Sequence, residues 1–516
     1  MRIKHSLLNI GAGLGNQLII TLLSFVSRTV FITYLGVEYL GLNGLFTSIL
    51  AMLSLAEAGI GASIMYSLYK PVAEDDKNKM NALMRLYRNA YLIIAGVVLV
   101  LGLSLLPFLS FIVSDTSIDH VHIIYLIFLL NTVAPYLYMH KNSFLNVCQK
   151  GYIVTGIYSV SSILTTTLKI AILYYTQNFI LYLLIESSIT IITSIVLALV
   201  VNKMYPFLKD KPATDLDPET KKGIFKNVKA IVLQNIGAYL VLGTDNIIIS
   251  SFIGLAAVGI YSNYKMLIDI SRTFINQIFN NIYHSVGNLV ANESKEKIYS
   301  IYKVYRLINF WIYSTFTIAI YIMLEPFITL WIGSDFIMDK SVLLLLMLLF
   351  YEKGIRNAIT TVKTTSGIFH PDRYAPLIQA AINLTLSITF VQFWGIAGVF
   401  LGTLISSLVV PFWTTPYLVY KKVFNLHILK YYYVYGLYIF IGTGVYFITK
   451  YSTSSISGDS YFSLLLKGFL CIIIPSLIYT VIFCKSDEFK YIFSISKRVF
   501  YKFRTIKVSH TTNRLG

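Results

Sequence analysis

Six polar side chains recur at helical spacing inside one strongly apolar stretch, residues 256–286. They lie three or four positions apart and therefore share one face of a helix: Lys265, Asp269, Arg272, Asn276, Asn280 and His284. A charge at bilayer depth costs roughly 2.5–3.5 kcal/mol on insertion scales, and such residues usually serve function. Lysine and arginine are the usual binders of phosphate groups. The stripe therefore predicts a site for an anionic ligand.

A second polar stripe lies in the apolar stretch 341–363. It carries Glu352, Arg356, Thr360 and Lys363, with Lys353 beside it. Cations outnumber acids in both stripes. Four cations have no obvious acidic partner nearby in the sequence: Arg28, in the apolar stretch 8–35, and Arg272, Lys353 and Lys363 in the stripes. We expect an anionic ligand to be held in a hydrated cavity by six cations: Arg28, Lys265, Arg272, Lys353, Arg356 and Lys363.

An alternative is that these charges only neutralise one another, because Lys265 with Asp269 and Glu352 with Arg356 have the spacing of helical ion pairs. The carboxylates are also candidates for a coupling ion, either a proton or sodium, since a carboxylate in a partly dehydrated cavity can exchange protons. The candidates are Glu57, Glu186, Asp245, Asp269 and Glu352. We expect no metal site, because the three cysteines form no CxxC pair. We expect no organic cofactor, because no strand precedes the glycine cluster Gly11, Gly13 and Gly15 as a dinucleotide-binding motif requires.

The elements that position these residues are predicted to be membrane spans. The chain has 516 residues, is 56% hydrophobic and only 13% charged, whereas soluble proteins carry about 25% charged residues. Its net charge of +18 lies mainly in short loops between apolar segments. That is the positive-inside pattern of membrane proteins, and we expect no nucleic-acid partner.

We predict an all-α polytopic membrane protein with fourteen transmembrane helices, since each span needs about 20 apolar residues and no stretch alternates with the period of a strand. Both termini are expected in the cytoplasm, because this orientation places most Lys and Arg residues inside. The predicted spans are residues 8–35, 39–69, 89–113, 121–146, 152–175, 178–202, 225–252, 256–286, 304–332, 341–363, 374–394, 396–420, 431–449 and 461–484.

The first half of the chain recurs in the second at a separation of 218 residues, which becomes 219 at Pro107-Phe108 and 220 at Ser114-Asp115. Matching positions include Asn9 with Asn227, Gly36 with Gly254, Gly41 with Gly259, Lys79 with Lys297, Tyr87 with Tyr305 and Arg88 with Arg306. Because six spans separate the matches, both halves enter the membrane in the same direction, as in a parallel pseudo-twofold repeat. We predict lobes of six helices at 1–210 and 211–425, a helix pair at 426–484 and a basic cytoplasmic tail at 485–516.

Two segments carry a family resemblance: FVSRTVFITYLGVEYLGLNGLF and LSLAEAGIGASIMYSLYKPVAEDDKNKMNALMRLYR. They resemble the Wzx-type polysaccharide repeat-unit flippases. These are members of the PST family in the MOP superfamily, which also contains the MATE exporters and the lipid II flippases. The resemblance is strongest over residues 5–115 and is compatible with the span count and repeat up to residue 425.

The resemblance implies two six-helix lobes around a cationic central cavity. It implies alternating-access transport of undecaprenyl-diphosphate-linked oligosaccharides to the outer leaflet of the bacterial cytoplasmic membrane, for capsular, O-antigen or exopolysaccharide synthesis. The implied partners are that lipid-linked oligosaccharide, membrane lipid, and a polysaccharide polymerase or other assembly proteins. Lipid II flippases carry an Arg-Asp pair close to Arg28, but Thr29 follows here. We do not transfer the role of that pair.

Two other functions stay open at this point. An ion-coupled, MATE-like exporter of small molecules or drugs would have the same fold, but the cations it exports favour an acidic cavity. A membrane polymerase or ligase usually needs a large outer loop for its acceptor, and the predicted outer loops are all short. The excess of Lys and Arg favours the flippase.

Overall fold

The computed structural model describes residues 2–57, 60–113, 116–148, 150–210, 243–368 and 371–494, together with a few positions between 216 and 228. Over these residues the protein is helical and contains no strand, which confirms the predicted all-α class. Most of the predicted span 225–252 and the end of the basic tail, from residue 495 onward, lie outside the described residues.

Long helices joined by short turns make up the first half of the chain. They are Arg2–Leu35, Val37–Leu53, Ile60–Ala73, Lys77–Ser104, Leu109–Ile112, Val121–Val133, Met139–Val147, Gly151–Thr176 and Phe179–Met204. Short 3₁₀ segments at Ser54–Glu57, Leu106–Phe108, Ala134–Leu137 and Pro206–Lys209 connect or extend some of them.

The second half follows the same plan and adds two helices at its end. Its described helices are Leu255–Asn292, Lys295–Ile332, Lys340–Thr365, Ala375–Val409, Pro411–Val419, Leu429–Thr453 and Tyr461–Phe483. Residues 243–252 are helical as well. A 3₁₀ segment spans Ser334–Phe336, and a π-helical turn at Tyr420–Phe424 extends the helix Pro411–Val419.

Within the described residues, seven helical segments are long and apolar enough to cross a membrane, and eight if the bent pair Val121–Leu137 and Met139–Val147 counts as one span. The helices Leu255–Asn292 and Lys340–Thr365 fall outside this set because the polar stripes put several charges into each of them. The structure is consistent with fourteen spans, and that count stays a prediction.

Two breaks in long helices have identifiable causes. The helix Ala375–Val409 leaves helical geometry at Trp394 and Gly395, where φ of Gly395 is 54°. The predicted boundary between spans 374–394 and 396–420 falls at this glycine. The second break is a bend of 47° after Leu137, where Pro135 lacks the N–H that a continuing helix needs.

The internal repeat is visible in the local structure of equivalent positions. Gly36 and Gly254 both precede a helix with positive φ, 84° and 123°, a conformation that glycine adopts at little cost. Asp76 and Ser294 cap the helices Lys77–Ser104 and Lys295–Ile332, accepting hydrogen bonds from the backbone N–H groups of Lys79 and Lys297. The sparse sequence matches therefore mark equivalent turns and helix starts.

The repeat also produces a reciprocal helix contact. A Cβ atom added at Gly41 would overlap the carbonyl oxygen of Leu255 and lie 3.2 Å from the backbone nitrogen of Gly259. A Cβ atom added at Gly259 would overlap the carbonyl oxygen of Val37 and lie 3.1 Å from the nitrogen of Gly41. Val37 and Leu255 are themselves equivalent in the repeat. Each glycine therefore packs against the other glycine and against the residue that begins the helix of the other repeat. Close approach of this kind requires small residues in membrane helices.

The described chain forms two compact units, residues 1–263 with 374–406 and residues 264–373 with 407–516. The first has an aromatic core that includes Phe31, Phe46 and Tyr125. The second is built around Phe310 and Tyr479, whose rings lie 5.0 Å apart. The predicted lobe boundary at residue 210 adjoins residues outside the described part, and it stays a prediction.

Candidate functional site

The polar stripe of Leu255–Asn292 forms a three-residue cluster in which two cations share one carboxylate. Lys265 Nζ contacts Oδ2 of Asp269, and Arg272 Nη1 donates to Oδ1 of the same residue at 2.9 Å. The three side chains are 47%, 38% and 40% exposed in chain order. The cluster therefore keeps one positive charge in excess and is accessible to a ligand.

This geometry confirms the predicted pair of Lys265 with Asp269, and it corrects the expectation that Arg272 has no local acid. Asp269 lies three positions before Arg272, a spacing that also brings side chains together on a helix. Asn276, the next residue of the stripe, is exposed. The side chains of Asn280 and His284 lie outside the described residues.

Glu352 and Arg356 form the predicted ion pair on the helix Lys340–Thr365. Arg356 donates to the carboxylate through Nε at 2.8 Å and Nη2 at 3.2 Å. Ser407 adds a hydrogen bond to Glu352 at 2.7 Å and accepts one from Arg356 at 3.1 Å. The carboxylate is buried and both charges are satisfied. Breaking one partner of such a pair is costly, so a structural role accounts for this contact.

Two further cations of the second stripe differ in what the structure shows. Lys363 contacts the carboxylate of Asp372, and both side chains are largely buried. The expectation that Lys363 lacks an acidic partner is therefore wrong, because the chain turns back after the helix and brings Asp372 to it. Lys353 is half-buried, and its role in ligand binding stays a prediction.

Arg28 is half-buried and donates from Nη2 to the carbonyl oxygen of Ser262 at 2.9 Å. Among the described residues it makes no ion pair. The equivalent position in the repeat is Asn246, which donates to the carbonyl oxygen of Gly44 at 3.3 Å. Gly44 is in turn equivalent to Ser262, so the two hydrogen bonds are reciprocal. This symmetry assigns Arg28 a structural hydrogen bond between the repeats, whether or not its charge also meets a ligand.

The remaining candidate carboxylates occupy three different environments. Glu186 accepts a hydrogen bond from Lys169 at 2.7 Å, so it has a cationic partner. Glu57 accepts a hydrogen bond from the hydroxyl of Tyr91 at 2.6 Å. Asp245 is buried and accepts one from Thr403 at 3.3 Å. Ion coupling at any of these residues stays a prediction.

The structure thus divides the six predicted cations by their partners. Arg356 pairs with Glu352 and Lys363 pairs with Asp372, whereas Lys265 and Arg272 share the single carboxylate of Asp269. Sequence reasoning missed Ser407 and Asp372, because neither lies at helical spacing from the side chain it contacts. The cluster of Lys265, Asp269 and Arg272 is partly exposed, and its role as a ligand site stays a prediction.

The fold resembles solved transporter structures. The lipid II flippase MurJ, in an inward closed conformation, superposes with a TM-score of 0.62 at 18% identity, covering 91% of this chain and 98% of the other. A multidrug resistance MATE family transporter of the MOP superfamily, in an inward-facing conformation, gives 0.54 at 16% identity, with 76% and 91% covered. A point mutant of the Vibrio cholerae MATE transporter VcmN gives 0.55 at 17% identity, with 80% and 94% covered. These similarities establish a MOP-type fold.

The sequence itself matches a protein family over more than half of its length. The matched region is residues 6–283, and the family is described as polysaccharide biosynthesis protein. No individual curated protein matches the sequence. The matched region includes the segments on which the Wzx-type resemblance rests and extends through the cluster of Lys265, Asp269 and Arg272. This chain is a multi-pass membrane protein and belongs to the polysaccharide biosynthesis protein family.

Proposed function

We propose that the protein is a flippase that moves a polyprenyl-diphosphate-linked oligosaccharide from the inner to the outer leaflet of the bacterial cytoplasmic membrane. The single observation that carries the proposal is the accessible cluster of Lys265, Asp269 and Arg272, with two cations on one carboxylate. It lies in a membrane protein of a polysaccharide biosynthesis family. The substrates of surface polysaccharide assembly are lipid-linked through an anionic diphosphate.

The cluster has the chemistry that a diphosphate requires. Arg272 offers a planar set of N–H donors, and Lys265 offers a compact point charge. In the absence of a ligand, Asp269 holds both cations in place. An arriving diphosphate would exchange with the carboxylate as the acceptor of their hydrogen bonds. Both cations are partly exposed, so a ligand can approach them.

The remaining parts of the substrate have their own requirements. Hydroxyl-rich sugars suit polar and tyrosine side chains, and the polyprenyl tail suits the lipid. The cycle we propose is alternating access, in which the site opens to one side of the membrane at a time. A proton or sodium gradient, or removal of the product by a polysaccharide polymerase, would give it direction. Glu57 is our candidate for the coupling carboxylate, because its described partner is the neutral hydroxyl of Tyr91.

Charge-selective variants of the cluster test the proposal. Lys265→Ala and Arg272→Ala should each cause lipid-linked repeat units to accumulate in the inner leaflet and should reduce surface polysaccharide. Asp269→Asn keeps both cations and should retain most of the transport. Lys70→Ala is a matched control, since Lys70 is an exposed lysine paired at the same i,i+4 spacing, with Glu74.

The pattern of the three variants separates ligand binding from simple pairing. If the cluster only stabilises the helix, losing Asp269 should harm transport as much as losing either cation. That result, at equal protein levels, would contradict the proposal. So would full surface polysaccharide in both cation variants.

A drug-exporter function has the same fold in its favour, because MATE transporters also superpose on this chain. A strain lacking the gene distinguishes the two. We expect lost surface polysaccharide with unchanged susceptibility to cationic drugs. Broad hypersensitivity with normal polysaccharide would favour the exporter.

A further inference from the structure

A cavity of about 730 Å³ lies in the first unit, and none of its lining residues belongs to the cluster of Lys265, Asp269 and Arg272. We call it the Arg88 cavity. Its walls come from the start of the helix Lys77–Ser104, the short helix Met139–Val147, the end of Phe179–Met204 and the turn that follows. By the positive-inside pattern, these helix ends face the cytoplasm.

The polar wall of the Arg88 cavity is cationic. Arg85, Arg88 and Lys141 line it, against a single acidic residue, Asp210. Neither arginine forms an ion pair with a residue that the structure describes, and both are exposed. Lys141 donates to Oδ1 of Asn202 at 2.7 Å, which fixes its ammonium group at the wall. Three cations around one open volume attract an anion.

A buried imidazole adds a second, independent observation. His140 lines the cavity, is only 6% exposed, and its Nδ1 atom has no hydrogen-bond partner among the described residues. Buried polar atoms are nearly always satisfied by protein, water or a ligand. An occupant of the cavity with hydrogen-bonding groups would satisfy this atom.

In the second half of the chain, tyrosine side chains surround the arginine that is equivalent to Arg88. Arg306 is the equivalent of Arg88, and its guanidinium lies 5.5 Å from the ring of Tyr302 and 5.9 Å from that of Tyr438. The ring of Tyr420 lies 6.3 Å from that of Tyr302, and Tyr420 is fully buried. Tyr438 comes from the helix Leu429–Thr453, which lies outside the repeat. In the second half, aromatic rings therefore pack against the arginine that is equivalent to Arg88.

The other wall of the Arg88 cavity is apolar and reaches the protein surface. Leu92 and Leu137 line it and are 42% and 43% exposed. Exposed apolar side chains on membrane helices contact lipid tails. An occupant therefore meets cations at one end and a lipid-facing surface at the other, which matches a phosphate headgroup carried on acyl chains.

We propose that the Arg88 cavity binds the phosphate headgroup of an anionic membrane lipid from the cytoplasmic leaflet. Basic pockets between membrane helices on the cytoplasmic side hold such headgroups. Arg85 and Arg88 contact the phosphate, and His140 donates or accepts a hydrogen bond through Nδ1. The lipid contacts Arg88 in the first half, whereas tyrosines pack against Arg306 in the second. This site does not depend on the proposed transport function.

Native mass spectrometry of the purified full-length protein, with titrated lipid, tests the proposal. Phosphatidylglycerol should bind more tightly than phosphatidylcholine. Each cation near a phosphate contributes roughly fivefold in affinity, so Arg85→Gln with Arg88→Gln should weaken phosphatidylglycerol binding by about 25-fold. Asp210→Asn removes the acidic residue and should strengthen it. Lys303→Gln, at the position equivalent to Arg85, is the matched control and should leave binding unchanged.

Competition with inorganic phosphate distinguishes the two sources of a phosphate group. We expect millimolar phosphate to leave the bound phosphatidylglycerol in place, because the acyl chains add contacts that the free ion lacks. Displacement by phosphate, equal binding of the two lipids, or unchanged binding in the double variant would each overturn the proposal. An unaltered unfolding temperature shows that the variants are folded, and the opposite effect of Asp210→Asn is a second readout that misfolding cannot produce.

Discussion

Arg88 and Arg306 are equivalent residues in two halves of one chain, and their surroundings differ sharply. Both follow a tyrosine whose hydroxyl bonds to a hydroxyl in an equivalent position: Tyr87 to Ser143 at 2.9 Å, and Tyr305 to Thr361 at 3.2 Å. The hydrogen bond next to each arginine is therefore the same in both halves. Arg306 is buried among tyrosines, whereas Arg88 is exposed at the edge of a cavity.

The comparison shows how a repeat can keep its framework and change its function locally. Tyr431 and Tyr438 belong to the helix Leu429–Thr453, and both are buried. Among the described residues of the first half, no helix corresponds to it. The difference between a packed core and an open cavity thus comes partly from this added helix and partly from the repeated one, where Tyr302 stands at the position of Met84, a residue that lines the Arg88 cavity.

The largest effect should come from the glycine contact that both repeats share. Gly41→Val should destabilise the protein by at least about 3 kcal/mol, because the added side chain meets the backbone of Leu255 and Gly259, which cannot rotate away. The membrane-inserted level and the unfolding temperature in detergent measure the effect.

Because Gly41 and Gly259 pack against each other, the same substitution at Gly259 is a second test. Gly259→Val should behave like Gly41→Val, since it meets the backbone of Val37. Gly44→Ala is the control, because its Cβ would lie 3.5 Å from Val258, an ordinary contact. Normal levels of either valine variant would mean that the two helices do not pack as described.

The next largest effect should distinguish the two arginines. Arg306→Ala should cost about 2–4 kcal/mol in the free energy of unfolding, since it empties a packed aromatic environment. Arg88→Ala should stay within about 0.5 kcal/mol, as exposed substitutions usually do. Thermal unfolding of both variants side by side measures the difference, and equal losses would refute it.

A smaller and symmetric effect is expected at the shared hydrogen bond. Tyr87→Phe and Tyr305→Phe should each cost about 1 kcal/mol in the free energy of unfolding, because each removes one hydrogen bond and leaves a hydroxyl partner behind. Double-mutant cycles with Ser143→Ala and Thr361→Val isolate the pair energies. Coupling in one half only would show that the two bonds are not equivalent.

The smallest effect should be at Arg28. Arg28→Gln keeps an N–H donor for the carbonyl of Ser262, as Asn246 does for Gly44 in the other repeat. We expect protein level and transport to stay within about twofold of the wild type, a change of less than 1 kcal/mol. Arg28→Ala, which removes the donor, should be more harmful. Complete loss of transport in the glutamine variant would instead assign the Arg28 charge to the ligand.

Sequence patterns predicted much of the fold, and parts of the candidate site. The turn at Gly36 and the break at Gly395 were predictable because glycine relieves a steric restriction at positive φ. The pairs Lys265–Asp269 and Glu352–Arg356 were predictable because helical spacing alone brings them together. The expectation for Lys363 was wrong, since its partner Asp372 lies beyond the end of the helix.

By itself, the sequence determined that this chain is a helical membrane protein with an internal repeat. Hydropathy and periodicity suffice for that, because a helix satisfies its own backbone in lipid without help from other segments. Only the tertiary structure decided which cations are neutralised and which stay accessible. A charge is satisfied by whatever side chain packs against it, and for Lys363 that neighbour is Asp372, which lies outside the helical spacing that a sequence displays.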